Sequence, residues 1–319
     1  MNIDYRMQVD RLSPLSHKFI IVKICIVFFV FGNLIYSQNT FEKVYGGSGH
    51  DFGNKGIQTR DGGFIIAGST DSYGSGNTDG YLIKIDKYGD TTWTRTFGST
   101  GYDYFFSVGQ TQDGDYTTGG YTTGFGFGSD DYYVVKTDSN GNLIWSRTYG
   151  GTNADDITQI VITADEGCLL AGCTGSFGSG NTDAYVVRID ADGDTLWTRT
   201  FGTQASETLN FAAATYDGGF LLTGKVYDSQ TFDTDIYLLK ITSDGGTAWL
   251  QSIRRTPLET ITDIGYAGIQ TFDNGFLIAG QTQLGTADNC VVLIKLDPSG
   301  TNIEWAKQYG GISTENHWM

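Results

Sequence analysis

Asp190, Asp192 and Asp194 offer three carboxylates within five residues. Hard divalent cations are held by clustered oxygens, so these three form the calcium candidate and the only metal set expected. The equivalent turns, Asp86-Lys87-Tyr88-Gly89-Asp90, Asp138-Ser139-Asn140-Gly141-Asn142 and Thr242-Ser243-Asp244-Gly245-Gly246, keep only part of that acid. An Asx-type hairpin turn explains all four with one mechanism. Nucleophilic catalysis is poorly provided for, because a Ser or Cys nucleophile usually needs a histidine base and only His50 and His317 lie beyond the leader. Cys168, Cys173 and Cys290 lack zinc-ligand spacing. Cys168 and Cys173 are five apart on one strand, so they point to opposite faces and read as packed thiols. The expectation is no catalytic residue and no cofactor, calcium aside.

Other polar residues recur rather than cluster. Asp79, Asp131, Asp183 and Asp235 are spaced by 52 residues, as are Lys84, Lys136, Arg188 and Lys240. A catalytic carboxylate pair needs two unlike environments, whereas copies in equivalent positions have similar ones. The aspartates are therefore expected to accept backbone hydrogen bonds at strand entries, and the cations to pair with acids or reach the rim. The loops at 71–78, 123–130 and 175–182 carry Tyr73, Asn77, Phe125, Phe177 and Asn181. Such aromatics can stack on a sugar while the asparagines hydrogen-bond to it, or they can plug the loop.

The elements that position these residues follow from one period. Trp93, Trp145, Trp197 and Trp249 are 52 residues apart, and Trp305 follows after 56. Each unit holds two turn signals, such as Arg60-Asp61-Gly62-Gly63 and Lys87-Tyr88-Gly89-Asp90, between four short apolar runs. That pattern predicts a four-stranded antiparallel meander with apolar residues on both faces, which must stack on its neighbours. The fold class is all-β, a β-propeller of four-stranded blades, with repeat units at about 52–98, 104–150, 156–202, 208–254 and 264–311. Residues 41–47 copy a fourth strand ahead of any first strand, and residues 310–319 begin a sixth unit. An array with these two ends is expected to be part of a longer propeller.

Ahead of the repeats, Arg6, Arg11, Lys18 and Lys23 precede the apolar run Ile24 to Phe31, followed by small and polar residues to Thr40. This order reads as a secretory signal peptide over residues 1–38, and the apolar run is shorter than the about 20 residues of a membrane span. Export to the cell surface or medium follows, without membrane insertion after cleavage. With 36 acidic and 20 basic residues the net charge is −16, which excludes nucleic acid as a partner. A protein or a glycan remains.

The phrases from Thr59 to Thr70, Gly180 to Asp190 and Trp145 to Gly151 resemble secreted bacterial β-propeller repeat proteins, many exported by type IX secretion. Asp86, Gly89 and Trp93 more loosely resemble the docking motif of quinoprotein propellers, in which the tryptophan packs between blades. No adjacent cysteine pair supports a quinone here. The function expected is a secreted, non-catalytic interaction or carbohydrate-binding module. The alternative is a quinoprotein-like oxidoreductase or a glycan-degrading propeller.

Overall fold

The computed structural model describes residues 41–254, 262–284 and 288–310. Residues 1–40, which include the segment read as a signal peptide, and residues 311–319, read as the start of a further unit and including His317, lie outside these residues.

Twenty strands form five four-stranded antiparallel sheets, each a meander in chain order. Blade 1 contains β1 (Asp51–Gln58), β2 (Phe64–Thr70), β3 (Asp79–Ile85) and β4 (Thr91–Phe97). Blade 2 contains β5 (Asp103–Gln110), β6 (Tyr116–Thr122), β7 (Asp131–Thr137) and β8 (Leu143–Tyr149). Blade 3 contains β9 (Asp155–Ile162), β10 (Cys168–Thr174), β11 (Asp183–Ile189) and β12 (Thr195–Phe201). Blade 4 contains β13 (Ser206–Ala214), β14 (Phe220–Asp228), β15 (Asp233–Ile241) and β16 (Thr247–Ile253). Blade 5 contains β17 (Asp263–Gln270), β18 (Phe276–Leu284), β19 (Asp288–Leu296) and β20 (Ile303–Tyr309).

In blades 1 to 4 the two middle strands are largely buried on both faces, so their residues stack in layers between consecutive blades, whereas in blade 5 one face is left more open, with Val291 exposed. Ile65, Ala67 and Leu82 of blade 1 meet Phe105, Tyr116 and Tyr133 of blade 2. Leu169 and Val186 of blade 3 meet Leu209, Phe220 and Tyr237 of blade 4. This face-to-face stacking in sequence order is the architecture of a β-propeller. Among the described residues, the extensively packed strand pairs between blades all join consecutive blades.

The tryptophans do what the period implies. Trp93 lies beside Tyr116, and its indole N–H donates to Ser139 O in the next blade's turn at 3.2 Å. Trp145 donates likewise to Ala191 O at 3.0 Å. A large flat side chain thus covers apolar area while its one polar atom finds a carbonyl.

Two details depart from the sequence reading. Residues 41–47, expected as an extra strand, belong to no sheet. Their side chains nevertheless take up the outer-strand contacts on blade 1. The Tyr45 hydroxyl donates to Gly89 O at 2.7 Å, as Tyr149 does to Gly193 O at 2.6 Å, and Lys43 pairs with Asp90 as Arg147 pairs with Asp194. Side-chain packing needs only blade 1, whereas a backbone ladder needs a neighbouring strand, and none of the five sheets supplies one. The second departure is a bulge in every inner strand, which leaves Asn54, Phe106, Thr158, Asn210 and Tyr266 unpaired. The bulge brings the carbonyl of Phe52, Tyr104, Asp156, Thr208 or Ile264 against the neighbouring strand. Gly68, Gly120, Gly172, Gly224 and Gly280 stand where a Cβ would collide with that carbonyl oxygen.

Candidate functional site

At most blades the bulge residue ties its strand to the next blade. Asn54 Nδ2 donates to Phe105 O at 2.8 Å, Thr158 Oγ1 to Leu209 O at 2.8 Å, and Asn210 Nδ2 to Gly265 O at 2.9 Å. Blade 2 breaks the series, because Phe106 can make no such bond. Its ring packs with two others instead, lying 5.8 Å from Tyr121 and 6.3 Å from Tyr104, with Tyr104 and Tyr121 5.0 Å apart.

This aromatic group borders a cavity of about 520 Å³ lined by Asn54, Phe106, Tyr121, Asp130, Asp156, Ile157 and Thr158. Two of these residues are further departures from the repeat. Asp130 stands where the other units have Thr78, Thr182 and Thr234, and Asp156 where they have Phe52, Tyr104 and Thr208. Burial, followed by the charges of Asp130 and Asp155, pushes the Asp156 carboxyl up to about 6. Burial also raises Asp130, and it lifts the Tyr121 phenol to about 12. Cys173 sits opposite Asp156 in the sheet, and burial pushes its thiol up to about 12. Flat rings, hydroxyls and carboxylates in one cavity suit a polyol with apolar C–H faces.

The residues singled out from sequence lie elsewhere. Tyr73, Phe125 and Phe177 are half-exposed lids over the buried rings of Tyr81, Tyr133 and Tyr185, at 5.8, 5.6 and 5.5 Å. Phe125 also borders a 350 Å³ cleft with Tyr133, Ser146, Arg147 and Thr148. Asn77 and Asn181 are exposed on the same loops. The three turn aspartates are divided by role. Asp190 Oδ1 accepts the amides of Asp192 and Asp194 at 3.0 and 2.8 Å, and Asp194 meets Arg147 at 3.2 Å. Among the described residues, no group of three or more His, Cys, Asp or Glu side chains is placed to hold a metal ion.

The repeated groups take the structural positions expected. Asp79 accepts the Ser75 amide at 2.8 Å, Asp131 that of Phe127 at 2.9 Å, and Asp183 that of Ser179 at 3.1 Å. Lys84 meets Asp61 at 2.8 Å, Arg188 meets Asp165 at 2.6 Å, and Lys240 meets Asp217 at 2.9 Å. Lys136 donates to Ala191 O at 3.3 Å. Cys168 is buried in the core between blades 2 and 3, and Cys168, Cys173 and Cys290 are free thiols.

Sequence reasoning missed Phe106, Tyr121, Asp130 and Asp156. The signal was available as letters that differ between aligned units, at positions where the other units agree or follow a different chemistry.

No family model matches the chain. A stretch of 185 residues, 50% of the chain, is 27% identical to regulatory protein FlaEY of Caulobacter vibrioides. That match spans 19% of the relative's length. Among solved structures, a protein of unknown function from Dyadobacter fermentans is similar with a TM-score of 0.49 and 12% identity over 82% of each chain. A subtype N10 neuraminidase-like protein of A/little yellow-shouldered bat/Guatemala gives 0.48 and 11% identity, over 79% of this chain and 78% of that one. The architecture stands on the five sheets themselves.

Proposed function

We propose that the protein is a secreted, non-catalytic β-propeller that binds carbohydrate in the cavity bordered by Phe106 and Tyr121. The observation that carries this reading is the coincidence of three departures from the repeat, Phe106, Asp130 and Asp156, in one cavity. A residue that breaks an otherwise regular array gives up a repeated contact, and here the lost contact is the tie to the next blade. The gain is an aromatic surface beside two carboxylates, which can stack on a sugar ring and accept its hydroxyls. The acidic surface and the N-terminal leader fit an exported protein that does not engage nucleic acid.

The test is calorimetric titration of the full chain with a panel of neutral and basic oligosaccharides, beside the Tyr121→Ala and Phe106→Ala variants. Binding weakened at least about tenfold in both variants, roughly 1.4 kcal/mol, supports the reading. Binding unaffected by either variant, or no binding to any member at millimolar concentration, sinks it.

A glycan-cleaving role is the second reading, favoured by Asp130 and Asp156 lining the same cavity. Release of reducing ends by the parent, abolished in Asp156→Asn, would replace the non-catalytic reading with this one.

A further inference from the structure

At each of the first three blade interfaces, two buried carboxylates from different blades face one small space. The pairs are Asp79 with Asp103, Asp131 with Asp155, and Asp183 with Glu207. All six side chains are at most 4% exposed. A Cβ built on Gly98 would overlap Asp79 Oδ1 and lie 2.6 Å from Asp103 Oδ2. At Gly150 it would overlap Asp131 Oδ1 and lie 2.7 Å from Asp155 Oδ2, and at Gly202 it would overlap Asp183 Oδ1 and lie 2.8 Å from Glu207 Oε2. None of these three glycines has the left-handed backbone that favours glycine. Their missing side chains therefore answer to space, and the space lies between two acids.

The fourth interface supplies the comparison. The residue 52 after Gly202 is Arg254. Its guanidinium Nε lies 3.2 Å from both oxygens of Asp235, the fourth member of the Asp79 series, and its Nη2 lies 3.1 Å from Asp233 Oδ2. Where the chain does not leave a gap, it places a cation.

Loop capping alone does not account for the pairs. Asp103 Oδ2 accepts the Ser99 amide at 2.7 Å, Asp155 Oδ2 that of Gly151 at 2.7 Å, and Glu207 Oε1 that of Thr203 at 3.1 Å. The second oxygen of each, Asp103 Oδ1, Asp155 Oδ1 and Glu207 Oε2, is buried without a hydrogen-bond partner. Asp51 holds the same place in blade 1, where the described residues offer no second acid. Both of its oxygens are bonded, Oδ1 by the Thr70 hydroxyl and Oδ2 by the Gly47 amide and the Ser72 hydroxyl. The unpartnered oxygens thus occur where acids meet in pairs. Two like charges with an unpaired oxygen in a buried interface are relieved by a shared proton or by a counter-charge.

We propose that the Asp79/Asp103, Asp131/Asp155 and Asp183/Glu207 pairs each bind a divalent cation, which would stand beside Asp79, Asp131 and Asp183 as Arg254 stands beside Asp235. The nearest polar atoms at each gap are carboxylate oxygens, which suit a hard ion. Calcium, bonding oxygen at about 2.3–2.6 Å and accepting carbonyls and water in its remaining positions, suits the space. The ions would tie blade 1 to 2, 2 to 3 and 3 to 4.

The full chain is stripped with EGTA, and calcium alone is titrated back by calorimetry with bound metal counted by atomic emission. The expected result is three ions per chain in the parent, with a rise in the thermal midpoint. Asp103→Asn, Asp155→Asn and Glu207→Gln should each bind two. Gly202→Arg should also bind two, while retaining in EGTA a thermal midpoint at least equal to the parent's. Should a substituted chain fail to fold, the parent's stoichiometry still decides. No calcium bound at about 1 mM, the weak end of extracellular sites, overturns the proposal. So does a stoichiometry that none of the folded variants lowers.

Discussion

The outer turns and the inner cavity of this propeller are built from the same residue types and follow opposite rules. At the outer turns, a buried mid-strand cation reaches an aspartate of the same blade, as Lys84 reaches Asp61, Lys240 reaches Asp217 and Lys295 reaches Asp273. Blades 1, 3, 4 and 5 each pair this cation within the unit, so the solution can be copied, while Lys136 of blade 2 reaches the Ala191 carbonyl instead. At the cavity, Asn54 of blade 1, Phe106 and Tyr121 of blade 2, and Asp156 of blade 3 meet only because different units differ. Repetition therefore marks what every blade needs to stack, and its interruption marks what the whole assembly presents to a ligand.

The largest effect that tests this contrast comes from two neighbouring aromatics of blade 2. Phe105 is fully buried between blades 1 and 2. Phe105→Ala should cost about 3–5 kcal/mol in denaturant unfolding, because the cavity left behind adds to the lost transfer energy. Tyr121 is only partly buried, and Tyr121→Ala should cost no more than about 1.5 kcal/mol, the scale of an aromatic contact. Equal losses from the two substitutions would make the cavity aromatics ordinary core and remove the distinction.

A smaller effect probes the rim. Asp217 would be raised by burial alone, but the Thr215 hydroxyl, the Lys240 ammonium and the Gly219 amide override this and hold its carboxyl at about 2. Asp217→Asn strands a buried ammonium. Its cost should be about 1–3 kcal/mol at pH 6, below the usual figure for a broken buried pair because the acid faces solvent. The sign of the pH dependence follows from linkage. A carboxyl depressed in the folded state contributes stability that is complete above its unfolded value near 4 and is lost as pH falls toward 2. Urea midpoints of parent and variant should therefore converge between about pH 4 and pH 2. A difference that persists unchanged at pH 2 would mean that the pair's charge is not what stabilises the turn.

Much of this was legible in the chain itself. The 52-residue period, the two turns per unit and the tryptophan spacing each rest on local chemistry, and they point to the five four-stranded sheets that the structure contains. The glycine of the second strand was legible as a letter but not as a consequence, since Gly68 is required by a bulge whose carbonyl comes from Phe52 on another strand. The candidate site was less legible because its members are ordinary one at a time. Asp156 is one of many acids and Phe106 one of many aromatics until stacking brings both to one cavity. Arg254 stands where Gly98, Gly150 and Gly202 stand in other units, yet its meaning depends on Asp235, which only the folded sheet brings beside it. Residues 41–47 carry an outer strand's sequence and make its side-chain contacts, but pairing is decided by a neighbour that their sequence does not contain.

The smallest expected effect separates a lid from a ligand platform. Phe177 caps Tyr185 at 5.5 Å, and the same ring pair recurs as Phe125 with Tyr133 and Tyr73 with Tyr81. By the rule of repetition these three belong with the stacking machinery, although all are half exposed and were candidates for ligand contact. Phe177→Ala should lower stability by about 0.5–1.5 kcal/mol, the worth of one aromatic pair, and leave oligosaccharide titrations unchanged. The opposite pattern, unchanged unfolding with weakened binding, would move the binding surface from the inner cavity to the loops. Repetition would then mark a multivalent face, in which three weak and equivalent contacts act together on one extended glycan.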